Sequence, residues 1–516
     1  MQIMNFLKKY LFHRITYLTV AILVQLFVLF AVTWRFYDYF IYFYGINIII
    51  GLAAVIVIIN NRMNPVYKLA WIIPILLFPF FGILFYILFG SKRLRKRYKK
   101  RMELVSIETR DFLLPRDRVV NKIKDYNKVA ANQSRYIQNH ALYPPYYNSS
   151  AEYFTSGEEK FASLLEELKN AEEFIFLEYY VINKGLMWDT ILDILVQKAK
   201  EGVEVRLIYD DWGCLLTLPY KYDQQLEQKG IKTEIFNPLL PILSSKYNNR
   251  DHRKIAIIDG HTAFTGGINL ADEYINEIEK HGHWKDTAIM FKGEPVWNMT
   301  VMFLTMWHHL RGKKEDIEKF KYPAGKTKID QKEKDGFIQP FSDSPLDDEP
   351  VGEIVYLNII NKAEDYLYIT TPYLIIDNEI VMALTSAAKT GVDVRIITPH
   401  IPDKWYVHMV TRSYYQDLIK SGVRIYEYTP GFIHSKTFVS DDKYGVVGTI
   451  NMDYRSLYLH FECGVWMYDC SVVEEMKQDF MTTLAKSMEI TEKKLAENRG
   501  YKSVAGSVLR AFAPLM

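Results

Sequence analysis

His252-Arg-Lys254-Ile-Ala-Ile-Ile-Asp259 and His434-Ser-Lys436-Thr-Phe-Val-Ser-Asp441 share one spacing. In both, Lys follows His by two positions, Asp follows Lys by five, and an Asn follows His by seventeen: Asn269 after Gly266-Gly267, Asn451 after Gly448-Thr449. On an extended strand side chains at i and i+2 share a face, so each His points the same way as its Lys. Ile255, Ile257 and Phe438 stand before the Asp residues and suit a buried strand. Two such strands facing one another bring two imidazoles and two ammonium groups into one cleft. The glycines allow tight turns from which a short Asn amide reaches in. A cationic, donor-rich site with two nucleophile or acid–base candidates suits a phosphodiester.

Outward from these motifs the chain repeats itself. AEEFIFLEYYVI (171–182) is echoed by AEDYLYITTPYLI (363–375), KAKEGVEVRLIYD (198–210) by AAKTGVDVRIITP (387–399), and LEQKGIKTEIFNP (226–238) by LIKSGVRIYEYTP (418–430). β-Branched runs alternate with helical patterns, the signature of βαβ units, so a duplicated α/β domain is expected. Ser156 with Glu159 predicts a capping box for a helix to Asn170. Residues 173–182 and 203–210 read as strands and 188–201 as a helix. The expected division is a membrane anchor over 1–91, a basic connector over 92–150, a first α/β half over 151–312, a polar surface linker over 313–350, and a second half over 351–516. The last carries an amphipathic stretch, VVEEMKQDFMTTLAKSMEI, that reads first as a packing helix and second as a membrane-surface helix.

Three apolar stretches precede residue 91: 15–34, 40–59 and 69–89. Crossing hydrocarbon takes roughly 20 residues, and bulky side chains at both ends of the first stretch fit a cleaved signal peptide badly. Pro74, Pro79 and Gly82 interrupt the third stretch, which spans with a kink or re-enters. Eight Lys or Arg lie between Lys92 and Arg101. That cluster predicts a multi-pass protein of the cell membrane with its catalytic halves on the cytoplasmic side, attracted to anionic headgroups. A net charge of +2 speaks against a nucleic-acid polycation, and three cysteines without a CxxC pair do not make a disulfide framework.

The chain resembles the phospholipase D superfamily, whose HxKxxxxD motif it carries twice, and within it the bacterial cardiolipin synthases. NPVYKLAWIIPILLFPFFGILFYILFG (64–90) resembles that family's membrane element, HWKDT (283–287) and GTINMDYRS (448–456) its post-motif segments, and VLRAFAPLM its ending. The stretch 15–34 is an additional span, and Lys285 stands where Arg is commoner. The resemblance implies duplicated phospholipase D-like α/β/α sandwich domains with N-terminal transmembrane helices. It implies phosphatidyl transfer through a phosphohistidine, with phosphatidylglycerol as donor and acceptor, cardiolipin and glycerol as products, and no cofactor or metal. His252 is then the nucleophile and His434 the acid, then base. Lys254, Lys436, Asn269 and Asn451 hold phosphate oxygens. Asp286 orients His252 and Glu462 orients His434. Asp259 and Asp441 complete the motifs and fix the strand–loop architecture.

Other classes compete with this reading: a phospholipase D hydrolase or a transferase using another alcohol, a nuclease on the same scaffold, and a non-enzymatic membrane-tethered module. His308, His309, His400, His408 and His460 have no repeated context and read as structural. His281 and His283 read mainly as structural, and Glu178 equally as a site residue or a buried structural carboxylate.

Overall fold

The computed structural model describes residues 40–516 except 62–63, 91–95, 148, 241–244, 324–335, 348, 498–505, 507 and 516, with scattered positions between 20 and 35. The first half supplies β1 (Ser149–Phe154), β2 (Phe174–Tyr179), β3 (Glu204–Asp210), β4 (Lys232–Phe236), β5 (Lys254–Ile258), β6 (Thr262–Gly266), β7 (His283–Lys285) and β8 (Ala288–Gly293). All but β7 form one sheet in the order β1-β8-β6-β5-β2-β3-β4. The second half supplies β9 (Phe337–Asp343), β10 (Tyr366–Thr370), β11 (Leu374–Ile375), β12 (Asp393–Pro399), β13 (Arg424–Tyr428), β14 (Gly431–Ile433), β15 (Thr437–Ser440), β16 (Tyr444–Gly448), β17 (Met452–Asp453), β18 (Glu462–Tyr468) and β19 (Ser487–Ile490). Its main sheet runs β9-β18-β16-β15-β10-β12-β13-β19, the first sheet's plan with one strand added. In each sheet the strands flanked by crossover helices, β2-β3-β4 and β10-β12-β13, are parallel, and the rest are antiparallel.

Alternation along the strands explains the layers. Phe174 and Phe176 of β2 enter a central core, whereas Ile175 and Leu177 enter an outer one beneath the helices Gly157–Lys169 and Leu186–Glu201. The central core is shared by both sheets and by the helices Val296–Arg311 and Val472–Ala485. The second outer core lies under the helices Val351–Lys362, Asn378–Lys389 and Trp405–Ile419. The expected helix after Ser156 forms with Ser156 Oγ accepting from Glu159 N at 3.2 Å, but the Glu159 carboxylate reaches back to Thr155 N rather than to the cap.

Three expectations change. The segment 313–350 is not a featureless linker. Glu315 and Phe320 dock on Arg206, whose guanidinium donates to Glu315 at 2.6 and 2.7 Å and lies 4.8 Å from the Phe320 ring centre. Farther on, β9 is the fully buried edge of the second sheet, where Pro340 is tolerated because an edge strand has a side without ladder bonds. The connector 92–150 is folded too: Val119, Val120 and Ile123 of the helix Asp117–Tyr126 pack into the second half's core. The amphipathic tail helix stops at Ala485, and Ser487–Ile490 becomes β19, antiparallel to β13.

Toward the N-terminus, the stretch 15–34 lies largely outside the described residues, as do 91–95 of the basic cluster. A helix spans Phe40–Asn60. The stretch 69–89 is broken into Pro65–Leu77, Pro79–Phe85 and a wide turn Tyr86–Gly90. Pro79 ends the first piece, and the second folds back so closely that a Cβ on Gly82 would stand 2.5 Å from Ile75 Cα. Among the described residues, no helix is long and apolar enough to cross a membrane. Asn64, which caps the helix Pro65–Leu77, also donates to Tyr458 (3.2 Å) and Asp377 (3.4 Å), tying this element to the second half.

Candidate active site

Each motif histidine stands just before a central strand, β5 or β15; Lys254 is the first residue of β5, and Lys436 immediately precedes β15. Both imidazoles are buried, at 7 % exposure each. Lys254 Nζ donates to the His252 carbonyl and Lys436 Nζ to the His434 carbonyl, so each ammonium is folded over its own histidine.

The orienting acids are exchanged relative to expectation. His252 Nδ1 lies 2.9 and 3.1 Å from the oxygens of Glu462, and His434 Nδ1 lies 2.7 Å from Asp286 Oδ2. Backbone pairing between the halves is the reason. β7 runs parallel to β14 with Ile433 opposite Lys285, and His434 N donates to Lys285 O at 2.7 Å. By the same pattern Asp251 bridges Phe461, and His252 N donates to Phe461 O at 2.9 Å. The residue after each accepting carbonyl is the acid, so each half lends its carboxylate to the other's histidine. With Nδ1–H donating to a carboxylate, Nε2 keeps its lone pair for chemistry.

Burial and the two ammonium groups push His252 well below the usual histidine range. Burial and Lys436 push His434 down to about 4. Burial lowers Lys254 to about 8 and Lys436 to about 7. Burial alone would raise Asp286, but His434 and Lys436 hold it below the usual carboxylate range. A phosphodiester anion arriving here relieves the repulsion among these cations and lets one imidazole keep a proton.

Asp259 and Asp441 take no part in this cluster, which corrects their placement among catalytic groups. Both sit at positive φ (52° and 55°) past the far end of their strands, and each carboxylate accepts three backbone N–H groups at the start of the neighbouring strand: Glu172, Glu173 and Phe174, or Glu364, Asp365 and Tyr366. They are clasps for β2 and β10. Asn269 is largely committed, with Oδ1 accepting from Val181 N and Nδ2 donating to Tyr274 Oη. Asn451 is buried, and its Oδ1 has no hydrogen-bond partner among the described residues. Glu178 belongs to a neighbouring network with Arg253, 3.3 Å away; burial and Asp251 push it well above the carboxylate range. Lys285 bridges the halves through Asp479, at 2.8 Å from both carboxylate oxygens. His283 pairs with Tyr428 Oη at 3.0 Å.

Against expectation, His460 belongs to the cluster. Its ring lies 5.5 Å from that of His252, its Nδ1 3.6 Å from Glu462 Oε1, and its Nε2 accepts from Arg455 Nε at 3.4 Å. Thr449 Oγ1 donates to the other Glu462 oxygen. Counted back from the acid, His460 stands where Trp284 stands before Asp286, so it does have a repeated context. The ligand atoms of His252, His460 and Glu462 fall within 4.8 Å of one another and could hold a transition metal, as could the oxygens of Glu353, Asp377 and Glu379 hold a harder cation.

Comparison with known proteins decides the kinship. The family described as "Cardiolipin synthase, PLD-like domain" matches residues 164–288 and again 356–484, one copy per half, and "Phospholipase_D-nuclease N-terminal" matches 49–91. A cardiolipin synthase of Halalkalibacterium halodurans is 34 % identical over 477 residues, 91 % of this chain and 93 % of its own length. The chain belongs to the cardiolipin synthase family of phospholipase D-like proteins. An uncharacterized protein of Streptococcus mutans is 44 % identical over 90 % of this chain and all of its own length. Among solved structures, the phosphatidylserine synthase of Haemophilus influenzae shares the fold at 16 % identity, with a TM-score of 0.55 over 74 % of this chain and 97 % of its own. The two matched segments contain the two His-x-Lys-x4-Asp motifs, at 252–259 and 434–441.

Proposed function

We propose that this protein is a phosphatidyltransferase that condenses two phosphatidylglycerol molecules into cardiolipin and glycerol. The observation that carries the reading is the pair of buried imidazoles, each held through Nδ1 by a carboxylate from the opposite half, with an ammonium folded over each. In step one a neutral imidazole attacks phosphorus through Nε2, the bond to the departing glycerol oxygen breaks, and the other imidazole, protonated, gives that oxygen its proton. In step two this now neutral imidazole takes a proton from the hydroxyl of the second lipid, whose oxygen displaces the histidine. Lys254 and Lys436, the amide of Asn451 and the one N–H of Asn269 not given to Tyr274 bear the charge on the nonbridging oxygens. The resemblance gives the attack to His252.

Residues 1–91 serve as the membrane anchor, with the catalytic halves on the cytoplasmic side. The apolar stretches, the basic cluster after them and the match over 49–91 support this. The buried site favours transfer over hydrolysis by limiting water. The test is the full chain in phosphatidylglycerol vesicles with products separated by mass. Cardiolipin with equimolar glycerol is expected; phosphatidic acid alone would show a hydrolase instead.

A further inference from the structure

The two halves of the site are built alike and populated differently. Where Asp251 bridges Phe461, Arg250, His252, His460 and Glu462 flank the bridge and share one face. Where Ile433 pairs with Lys285, the equivalent four are Phe432, His434, Trp284 and Asp286. Ring distances confirm the equivalence: His252 to His460 is 5.5 Å, and His434 to Trp284 is 5.6 Å. Two positions therefore change character between halves, Arg250 against Phe432 and His460 against Trp284. His434 stands among Trp284, Phe432 and Tyr274 rings. His252 stands beside the Tyr180 ring (5.0 Å) and a second imidazole, with Arg250 two residues before it.

Arg250 is 3 % exposed, yet its Nη1 has no hydrogen-bond partner among the described residues. The nearest carboxylate oxygen, Asp210 Oδ1, is 3.8 Å away, and that group already accepts from Trp212 N and Gly213 N. Burial pushes Asp210 up to about 7, so it neutralises the guanidinium only in part. The guanidinium carbon lies 4.9 Å from the Trp212 ring centre and 5.8 Å from that of Tyr247. A second guanidinium, Arg455, donates to His460 and is near enough for its charge to oppose that of Arg250. A buried arginine beside two aromatic rings, left with an unused donor and close to another arginine, is equipped for a planar two-point grip on a phosphate.

We propose that Arg250 and Arg455, with His460 between Arg455 and His252, form a subsite for the phosphodiester of the second phospholipid, the one that does not change partners. The inference rests on the transferase reading above and names what distinguishes the acceptor from a simple alcohol. In cardiolipin a short glycerol bridge separates the two phosphates, so with one phosphorus between the imidazoles the other lies beside the site, whichever imidazole attacks. Access fits as well. The turn Tyr86–Gly90 of the N-terminal element packs near Ser245–Asn248, immediately before Arg250. A headgroup travelling along that element meets this subsite on its way to His252.

The test is a competition in one tube. Full-length protein in phosphatidylglycerol vesicles is given ethanol, and the ratio of cardiolipin to phosphatidylethanol is measured for wild type, Arg250→Gln, Arg250→Lys and Arg455→Gln. Both products derive from one phosphatidyl-enzyme, so the ratio does not depend on how much protein has folded. A fall of about tenfold or more is expected for each Gln variant, smaller for Arg250→Lys, which keeps the charge and loses the fork. A ratio within twofold of wild type in both Gln variants would overturn the subsite. Absence of both products from the wild type would instead refute the transferase reading itself.

Discussion

If each carboxylate serves the histidine of the opposite half, Asp286→Asn must disable His434, and Glu462→Gln must disable His252. The size of the effect follows from the geometry. Asp286 is fully buried, its partner nitrogen is 2.7 Å away, and His434 has no exposed face on which to find another acceptor. Losing one partner of a buried charged pair costs about 3–5 kcal/mol, which is about 10²–10⁴-fold in rate if it falls on the transition state. Overall turnover drops for both variants and does not say which histidine each acid serves. A donor with a good leaving group does. Phosphatidyl-p-nitrophenol needs no proton on its departing oxygen, so the burst of nitrophenol survives loss of the acid and vanishes with loss of the nucleophile. With His252 attacking, His434→Ala and Asp286→Asn keep the burst, while His252→Ala and Glu462→Gln lose it. Were His434 the nucleophile, the two pairs would exchange behaviour but stay together. Asp286→Asn grouping with His252→Ala, and Glu462→Gln with His434→Ala, would refute the crossed pairing outright.

Acid–base behaviour follows from the same burial. As pH rises from about 6 to about 9, Lys436 and then Lys254 lose their charge, so KM for a short-chain phosphatidylglycerol is expected to rise over that window; a flat KM would contradict it. Because a buried, depressed lysine binds fewer protons folded than unfolded, this deprotonation does not itself weaken the fold. The sign is the same on the acid side: between the unfolded histidine value of 6.5 and about 4, the unfolded chain binds the proton that His434 refuses, so thermal stability falls as pH drops, and less so in His434→Gln. Asp259→Ala and Asp441→Ala each strip three backbone N–H groups of an acceptor and should cost about 1–3 kcal/mol in denaturant unfolding, with kcat of the folded fraction within a few-fold of wild type. Lys285→Met leaves the part-buried Asp479 without its ammonium, though still bonded by Tyr153 Oη, and should lower stability by about 1–3 kcal/mol, with Lys285→Arg restoring most of it.

The duplicated sheet and the two histidines were legible because they rest on local patterns: period-two alternation, a repeated crossover unit, and His and Lys two apart on an extended segment. The crossed acids were not, because the partner of His252 is fixed by a backbone bridge to Phe461, and no spacing along the chain encodes that contact. Proximity in sequence pointed the wrong way, since Asp286 follows His252 closely. His460 was hidden by an unequal loop: seventeen residues run from Asn269 to Asp286, but only eleven from Asn451 to Glu462. Counting forward from the motif loses the register that counting back from the acid recovers. β9 was hidden by Pro340, which argues against a central strand and is harmless on an edge.

Exchange of carboxylates makes the site a property of the pair of halves rather than of either. Each half carries a histidine and lysine on its central strand, yet the group that fixes the imidazole tautomer arrives with the other half's backbone, through β7 on β14 or Phe461 on Asp251. Separating the sheets by even a slight rotation would lengthen both His–carboxylate contacts together and release both rings. The helices Val296–Arg311 and Val472–Ala485, each buried in the core common to both sheets, and the Lys285–Asp479 bridge oppose that rotation. The half-sites nevertheless differ: one carries Arg250 and His460 where the other carries Phe432 and Trp284. Those two positions distinguish the half-sites, and on the subsite proposed above they are what separates the phosphate being transferred from the one that is not.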